Sequence, residues 1–251
     1  MTREFDLILF GATGFTGRLV ADYLKRSADP GVRWAIAGRS RDKLEALGLG
    51  VPIVVGDALD PAAVRAMASR TTAVCTTVGP FARYGSELVA ACAEAGTHYC
   101  DLTGEVQWMR RMIDAHHERA KQTGARIVQP CGFDSIPSDI GTWATQQAFI
   151  ARFGYPARKV TALFGEQSGG LSGGTVASGM ETAREASEDP DVRALLRNPY
   201  GLDPEPQTPR PAAPDERGIG WERHLKMFTV PFLMAGSNTR VVRRGHARAG
   251  F

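Results

Sequence analysis

The chain has 251 residues, of which 43% are apolar and 23% are charged, and its formal net charge is +3. These proportions are typical of a globular protein and exclude collagen-like and intrinsically disordered chains. No run of five or six like charges occurs, so the charge pattern gives no indication of a nucleic-acid partner.

The sequence carries four cysteines, with no CxxC pair and no histidines at metal-ligand spacing: Cys75, Cys92, Cys100 and Cys131. This pattern argues against a zinc site and against a disulfide framework, and it favours a reducing compartment. We therefore expect a soluble, cytoplasmic protein without a metal. The start of the chain lacks an apolar signal-peptide core, and no stretch approaches the roughly 18 apolar residues of a membrane span. Peripheral contact with a membrane stays open.

Strand and helix patterns alternate through the first half of the chain. Apolar runs predict strands, and apolar residues at helical spacing predict helices. The strands are expected at 5–10, 34–37, 51–55, 73–78, 98–102 and 126–129, and the helices at 18–26, 41–47, 61–69, 86–95, 106–123 and after Pro137. Strands separated by helices specify a parallel, doubly wound sheet of the Rossmann type. We predict that this domain covers residues 1–150.

The pattern changes after about residue 160. A strand is predicted at Val160–Glu166, a glycine-rich run at 168–175, and a polar helix at 176–187. Six prolines between 198 and 220 predict an exposed loop or lid. We expect a second, α+β domain for substrate binding or oligomerisation over residues 151–251. Its basic cluster, Arg240–Arg248, either lies along a solvated strand edge or binds a phosphate or an acidic partner.

A glycine-rich turn follows the first strand and comprises Gly11, Ala12, Thr13, Gly14, Phe15, Thr16 and Gly17. Glycine allows the backbone to approach a pyrophosphate closely, while the N–H groups and dipole of the next helix face its negative charge. A turn needed only for tight packing of strand against helix is the alternative. The position of the turn within a βαβ unit favours a dinucleotide site.

The end of the second strand carries Arg39 and Ser40, where an NAD-preferring site would place an acidic residue. The guanidinium of Arg39 can pair with a 2′-phosphate, with Ser40 and Arg41 as further donors, which favours NADP(H). A surface arginine without a ligand is the alternative. After the third strand, Asp57 either contacts the adenine amino group or caps the helix at Pro61.

The fourth strand leads into Val78, Gly79 and Pro80, on the carboxyl edge of the sheet where ribose and nicotinamide should lie. Glycine allows close approach there, and proline makes a rigid wall that donates no hydrogen bond. Tyr84 is the nearest phenol. It is either a proton donor or a tyrosine packed at a helix start.

Six runs resemble the saccharopine dehydrogenase-like oxidoreductases, and among them especially the actinobacterial trans-acting enoyl reductases. These runs are 11–17, 37–40, 77–85, 99–105, 131–139 and 172–175. The chain departs from the family at Phe81, where many relatives have tyrosine, so any role of that phenol is lost. Relatives also usually continue well beyond this length, and we expect the substrate domain to be incomplete.

The resemblance implies an NADPH-dependent reductase that saturates a carbon–carbon double bond of a polyketide-type acyl chain. Such an enzyme works in trans beside a synthase that lacks its own enoyl reductase domain, in cell-envelope lipid synthesis. We also expect a homo-oligomer. Hydride would pass from the nicotinamide to the β-carbon, and the enolate would need hydrogen-bond donors and then a proton at the α-carbon.

Candidate donors are Tyr84, Glu105 in the run Thr103–Glu105, and the preferred pair Asp134 and Ser135 in the run from Cys131 to Asp139. Each has a structural alternative, since Asp134 or Ser135 can cap the helix near Pro137. Glu105 similarly stands where it can cap the helix that follows it.

Two other functions are compatible with the sequence. A saccharopine-type enzyme acting on a carbon–nitrogen bond would need several basic residues around substrate carboxylates, and Arg83 is the only one found after Gly79 in the motif region. A non-catalytic NADP-binding sensor or scaffold is the other alternative.

Overall fold

The structure is a computed structural model that describes residues 3–166, 170–204 and 214–250. Its contacts define two compact units, the first comprising Met1–Cys131 with Leu171–Ala183 and the second Gly132–Gly170 with Arg184–Phe251. The domain boundary predicted at residue 150 therefore falls inside the second unit. Part of the predicted glycine-rich run (168–169) and part of the predicted proline-rich loop (205–213) lie outside the described residues.

The first unit is built on a parallel sheet, as the alternation of strands and helices predicted. Its strands lie in the order β3-β2-β1-β4-β5-β6, so the direction of winding reverses between β1 and β4. In register, Leu9 pairs with Ile36 on one side and with Cys75 on the other. The strands are β1 Phe5–Phe10, β2 Trp34–Gly38, β3 Ile53–Val55, β4 Thr71–Thr76, β5 His98–Cys100 and β6 Ile127–Val128.

The helices of the first unit have clear start and stop signals. Asp60 accepts hydrogen bonds from the amides of Ala62 and Ala63 at the start of α3, and Gly96 and Gly124 end α5 and α6 in the left-handed conformation. Apart from α4, which leads directly into α5, each of these helices is followed by a strand of the parallel sheet. The helices are α1 Phe15–Ser27, α2 Arg41–Glu45, α3 Pro61–Arg70, α4 Phe81–Tyr84, α5 Ser86–Ala95 and α6 Val106–Thr123.

The core of the first unit holds β1 in place. Leu9 and Ile36 are buried and pack against Ala21 of α1 and Leu44 of α2. Complete burial of an aliphatic side chain contributes about 1.5–3 kcal/mol relative to exposure. β1 is therefore a rigid support, and its carboxyl end carries the glycine-rich turn.

The second unit combines helices with a small antiparallel hairpin. Its elements are α7 Ile136–Phe153, α9 Pro190–Arg197, α10 Ala235–Arg248, β7 Gly220–Glu222 and β8 Met227–Thr229. The helix predicted to close the first domain is α7, so it belongs to this unit. The polar helix predicted at 176–187 is α8, Gly173–Glu188, which begins in the first unit. Within the described ranges, no helix is both long and apolar enough to cross a membrane.

The strand predicted at Val160–Glu166 is wrong, because that segment has no regular secondary structure. Its β-branched and aromatic residues favour an extended backbone, but a strand also needs a neighbour to complete its hydrogen-bond ladder. Among the described residues, the hairpin strands β7 and β8 pair with each other and not with this segment.

The expectation of a strand edge at Arg240–Arg248 is also wrong, because the cluster lies on α10. Helical spacing turns Arg240 inward, where it is 1% exposed and donates to both carboxylate oxygens of Asp215 at 2.6 and 2.8 Å. Arg243 and Arg244 donate to backbone carbonyls of the segment after α9, at 2.8 and 2.7 Å. These arginines therefore stabilise the second unit.

Candidate functional site

The turn after β1 requires glycine at two positions for packing alone. Gly11 has a φ of +93°, and a Cβ there would lie 2.8 Å from Thr77 Oγ1. At Gly17, a Cβ would lie 2.0 Å from the carbonyl oxygen of Gly11. Any side chain at either position would force β1, α1 and the segment after β4 apart. Tight packing of strand against helix is therefore sufficient to explain why positions 11 and 17 are glycine.

Packing does not account for Gly14. A Cβ at this position would meet nothing closer than the Gly11 carbonyl oxygen at 3.4 Å, which is an ordinary contact distance. Gly14 has an ordinary negative φ of −72° and is exposed at the N-cap of α1. The absence of a side chain here leaves backbone open to an approaching ligand, which is the role of the middle glycine in a dinucleotide-binding turn.

The start of α1 is also suited to an anion. No side chain caps it at Gly14, and its first turn contains no acidic residue. Helix N-termini carry amides without intrahelical partners and a partial positive charge. Of the remaining turn residues, Ala12 is buried, Thr13 and Thr16 are half-buried, and Phe15 is 73% exposed. The turn therefore presents backbone amides and an exposed aromatic ring.

Arg39 stands at the carboxyl end of β2, next to β1 in the sheet. Its side chain is exposed and has no hydrogen bond or ion pair within the described part of the chain. Ser40 caps α2, because its Oγ accepts from the amide of Lys43 at 3.4 Å. The cap holds the backbone beside Arg39, while the guanidinium stays available to a ligand.

Asp57 does not cap the helix that begins at Pro61. Its Oδ1 accepts from the amide of Leu59 at 2.9 Å, and Asp60 is the capping residue. The capping interpretation of Asp57 is therefore wrong, since the acid directly before Pro61 is closer to the free amides. The adenine contact of Asp57 stays a prediction.

The segment after β4 is tied directly to the glycine turn. The amide of Thr77 donates to the carbonyl of Phe10 at 2.9 Å, and Thr77 Oγ1 lies 3.2 Å from the carbonyl of Gly11. The chain then passes through Val78, Gly79 and Pro80, all half-buried, with a cis peptide bond before the proline. These residues border the same edge of the sheet as the turn.

Tyr84 closes the short helix α4 behind this segment. It is half-buried, and its amide donates to the carbonyl of Pro80 at 3.1 Å. Its phenol has no hydrogen-bond partner among the residues that the structure describes. Phe81, at the start of α4, is buried and packs on Trp108 with ring centroids 5.5 Å apart. The phenylalanine that departs from the family pattern is thus a core residue.

Asp134 and Ser135 belong to the second unit. Ser135 is 2% exposed, and its Oγ donates to Asn238 Oδ1 of α10 at 2.8 Å. The amide nitrogen of Asn238 in turn donates to the backbone carbonyl of Asp134 and to Ser138 Oγ. Ser135 does not cap α7 with its side chain, so that interpretation is wrong. The hydroxyl holds α7 against α10, and the catalytic roles of Asp134 and Ser135 stay predictions.

Arg83, on which the saccharopine-type alternative depended, is engaged by an acid. Its Nε donates to Glu181 Oε2 at 2.7 Å, and Glu181 is 4% exposed. The guanidinium therefore fastens α4 to α8 within the first unit.

Two buried acids follow β5: Glu105, which the sequence analysis singled out, and Asp101, which it did not. Glu105 is 1% exposed, and its carboxylate accepts from the amides of Phe81 and Ala82. It therefore caps α4, and the expectation that its side chain caps α6 is wrong. One feature of the sequence marked Glu105 as a candidate: it is an acid directly before the predicted helix at 106–123.

The second acid, Asp101, is 2% exposed and lies in a network of donors. Its carboxylate accepts from Tyr99 Oη at 2.8 Å, the amide of Thr103 at 3.1 Å and Gln129 Nε2 at 3.2 Å. Burial is the largest effect and raises the pKa of Asp101 to about 7, and the charge of Glu105 adds to it. The three hydrogen bonds oppose this shift without cancelling it.

We expect Asp101→Asn to reduce the pH dependence of stability. The pKa of Asp101 is raised from 3.8 to about 7, so the folded chain keeps a proton that the unfolded chain releases between these values. The free energy of unfolding should therefore fall as pH rises from 4 to 7, by at most about 1.4 kcal/mol per pH unit from this group. Denaturant unfolding at a series of pH values checks this.

The control for this measurement is Asp29→Asn, which removes an exposed carboxylate. Its unfolding curve should follow that of the wild type at every pH. If the free energy of unfolding changed with pH equally in Asp101→Asn and in the wild type, the raised pKa of Asp101 would be contradicted.

Comparison with known families identifies the first unit. Residues 7–128 match the saccharopine dehydrogenase NADP binding domain family. This span contains Arg39 and most of the glycine turn's βαβ unit, and it reaches the end of β6. The match confirms the Rossmann-type fold class and NADP(H) as the cofactor of this domain.

Curated relatives extend the similarity to nearly the whole chain. A Mycobacterium tuberculosis protein that is named as a trans-acting enoyl reductase is 47% identical over 98% of this chain. The trans-acting enoyl reductase of Mycobacterium leprae is 43% identical over the same share. The chain spans 61% and 62% of the lengths of these two relatives. The resemblance to this family is therefore confirmed.

Among solved structures, the chain is similar to apo saccharopine dehydrogenase (L-Glu forming) from Saccharomyces cerevisiae. The two are 17% identical with a TM-score of 0.45, and the match covers 60% of this chain and 32% of the yeast enzyme.

Proposed function

We propose that the chain works as an NADPH-dependent trans-acting enoyl reductase, with residues 7–128, which match the saccharopine dehydrogenase NADP binding domain family, as its cofactor domain. The observation that carries the proposal is Gly14, a glycine that packing does not require, at the uncapped start of α1. The enoyl specificity is supported by the names of relatives that are 41–47% identical to this chain.

The proposed cofactor site follows the carboxyl edge of the sheet. The pyrophosphate would be held by the amides at the start of α1, residues 15–17, because those of Gly11 and Gly14 already donate to the carbonyls of Ala37 and Gly11. The 2′-phosphate is held by Arg39, because the guanidinium is exposed and free of partners among the described residues. Asp57 lies at the adenine end. Val78, Gly79 and Pro80 form the wall at the nicotinamide end, beside the turn to which Thr77 is bonded.

When bound, NADPH supplies a hydride to the β-carbon of an enoyl thioester. The chain must hold the substrate in line, exclude water and deliver a proton at the α-carbon. Tyr84 is the candidate that best fits the last task, because its phenol is half-buried and unbonded within the described ranges. The hydroxyl of Ser135 is already engaged by Asn238, which makes it the weaker candidate.

The proposed substrate is a polyketide-type acyl thioester carried by a synthase, as the term trans-acting implies for the relatives. We place the chain in the cytoplasm. Its four cysteines are free thiols in the structure, which suits a reducing compartment.

Arg39→Ala should weaken NADPH binding by roughly 2 kcal/mol, about 30-fold, because a charge-assisted contact to the 2′-phosphate is lost. Binding of NADH, which lacks this phosphate, should change little. Titrations of nicotinamide fluorescence measure both constants. Arg26→Ala, at the far end of α1, is the matched control for loss of a positive charge. An equal loss for both nucleotides would mean that Arg39 does not read the phosphate.

The activity itself is tested by NADPH oxidation with enoyl thioesters of increasing acyl length. We expect oxidation with these thioesters and none with imino acids. Oxidation with imino acids alone would overturn the enoyl assignment in favour of carbon–nitrogen chemistry. Tight NADPH binding without turnover on any substrate would instead indicate a sensor or scaffold.

A further inference from the structure

The carboxylate of Glu105 lies where three segments of the first unit meet. These are the segment after β5, the start of α4 and the first half of α8. Two of the segments are far from Glu105 in sequence, and the side chain is 1% exposed. A buried acid in this position needs partners for both of its oxygens.

Both oxygens have backbone partners. Oε1 accepts from the amide of Phe81 at 2.8 Å, and Oε2 accepts from the amide of Ala82 at 2.7 Å. These are the first two amides of α4, which have no acceptor within their own helix. A third donor, Ser178 Oγ of α8, lies 2.8 Å from Oε1. The carboxylate therefore caps α4 from outside and is itself held by α8.

The backbone of Glu105 is equally constrained. Its amide donates to Thr103 Oγ1 at 3.1 Å, and its carbonyl accepts from the amide of Met109 in α6 at 3.0 Å. Nearby, Gln107 Nε2 donates to Thr182 Oγ1 of α8 at 3.1 Å. The acid is thus mounted on a rigid support and cannot follow a movement of α4.

The Gly79–Pro80 turn directly precedes the two amides that Glu105 holds. Pro80 has no N–H to donate and Gly79 has no side chain, so these residues contribute little to holding the turn in place. Among the described residues, the carbonyl of Pro80 accepts only from within α4, from the amides of Arg83 and Tyr84. Thr77 is bonded to the glycine turn on one side of Gly79–Pro80, and the carboxylate of Glu105 anchors the chain on the other side.

We propose that Glu105 is a positioning residue that holds the Gly79–Pro80 turn as a preformed wall for the nicotinamide half of NADP(H). The inference rests on the cofactor orientation in the proposed function. Glu105 contacts the wall through Phe81 and Ala82 and, in the part of the chain that the structure describes, makes no hydrogen bond to the glycine turn or to Arg39. Loss of the Glu105 carboxylate should therefore weaken binding of the nicotinamide half of the cofactor more than binding of the adenine half.

A carboxylate is required because the two backbone groups that contact its oxygens, the amides of Phe81 and Ala82, are both N–H donors. Glutamine offers one carbonyl oxygen and one NH₂ group, so one of the two amides would face a donor. The affected amide would be left buried and unsatisfied or would move away, and the turn would lose its fixed position.

The test is Glu105→Gln, titrated with NADPH and with adenosine 2′,5′-bisphosphate. The second ligand carries the adenine and the 2′-phosphate but no nicotinamide. We expect NADPH binding to weaken about tenfold, as for loss of a charge-assisted hydrogen bond. Binding of the bisphosphate should stay within about twofold of the wild type, because its contacts lie on the other half of the site.

Two control variants show whether the loss of NADPH binding is specific to Glu105. Arg39→Ala should weaken both ligands, since both carry the 2′-phosphate. Glu87→Gln, which removes an exposed acid from the first turn of α5, should weaken neither. Where Glu105→Gln does not fold by circular dichroism, Ser178→Ala provides the test. It removes one donor from the carboxylate and leaves both amide bonds, so a smaller loss confined to NADPH is expected.

Equal weakening of both ligands in Glu105→Gln would overturn the proposal, because Glu105 would then support only the fold of the domain. Unchanged binding of both would also overturn it, because the wall would not need the carboxylate. These titrations use no enoyl substrate, so a failure of the enoyl assignment would leave their outcome unaffected. A wild-type chain that bound neither ligand would instead contradict the cofactor site itself.

Discussion

The contact between Gly11 and Gly17 is the constraint on which the rest of the site depends. A Cβ at Gly17 would lie 2.0 Å from the carbonyl oxygen of Gly11, so α1 can begin this close to β1 only without a side chain there. The close start directs the free amides of α1 over the carboxyl edge of the sheet. Thr77 is bonded to the same turn and brings the end of β4 to that edge. Gly14, which packing leaves open, then provides the approach for a phosphate.

The other end of the proposed site is held by two buried acids with different surroundings. Glu105 accepts from two backbone amides and a hydroxyl, so its carboxylate replaces the missing acceptors at the start of α4. Asp101 also has three donors, but burial prevails and raises its pKa to about 7. One acid therefore serves as a fixed anchor, while the other makes stability depend on pH. Both follow β5, at the sheet edge where we propose that the nicotinamide lies.

Local patterns in the sequence were sufficient to predict the sheet, the glycine turn and the exposed Arg39. Hydrophobic periodicity reports burial, and glycine spacing reports backbone shape, and both are properties of short segments. The errors arose where a partner distant in sequence decides the outcome. Val160–Glu166 has strand-forming residues but no paired neighbour among the described residues, and Glu105 finds its amides 24 and 23 residues earlier. The arginines of α10 were misread because their charge suggested exposure, although Arg240 is paired and buried.

The most direct test of the central claim is a structure of the chain determined with NADP⁺ bound. The account predicts the pyrophosphate within hydrogen-bond distance of the backbone amides at the start of α1, residues 15–17, with the 2′-phosphate on Arg39. It further predicts the nicotinamide against Gly79 and Pro80, with Glu105 still bonded to the amides of Phe81 and Ala82. A pyrophosphate away from the glycine turn, or a nicotinamide on another part of the sheet edge, would contradict it.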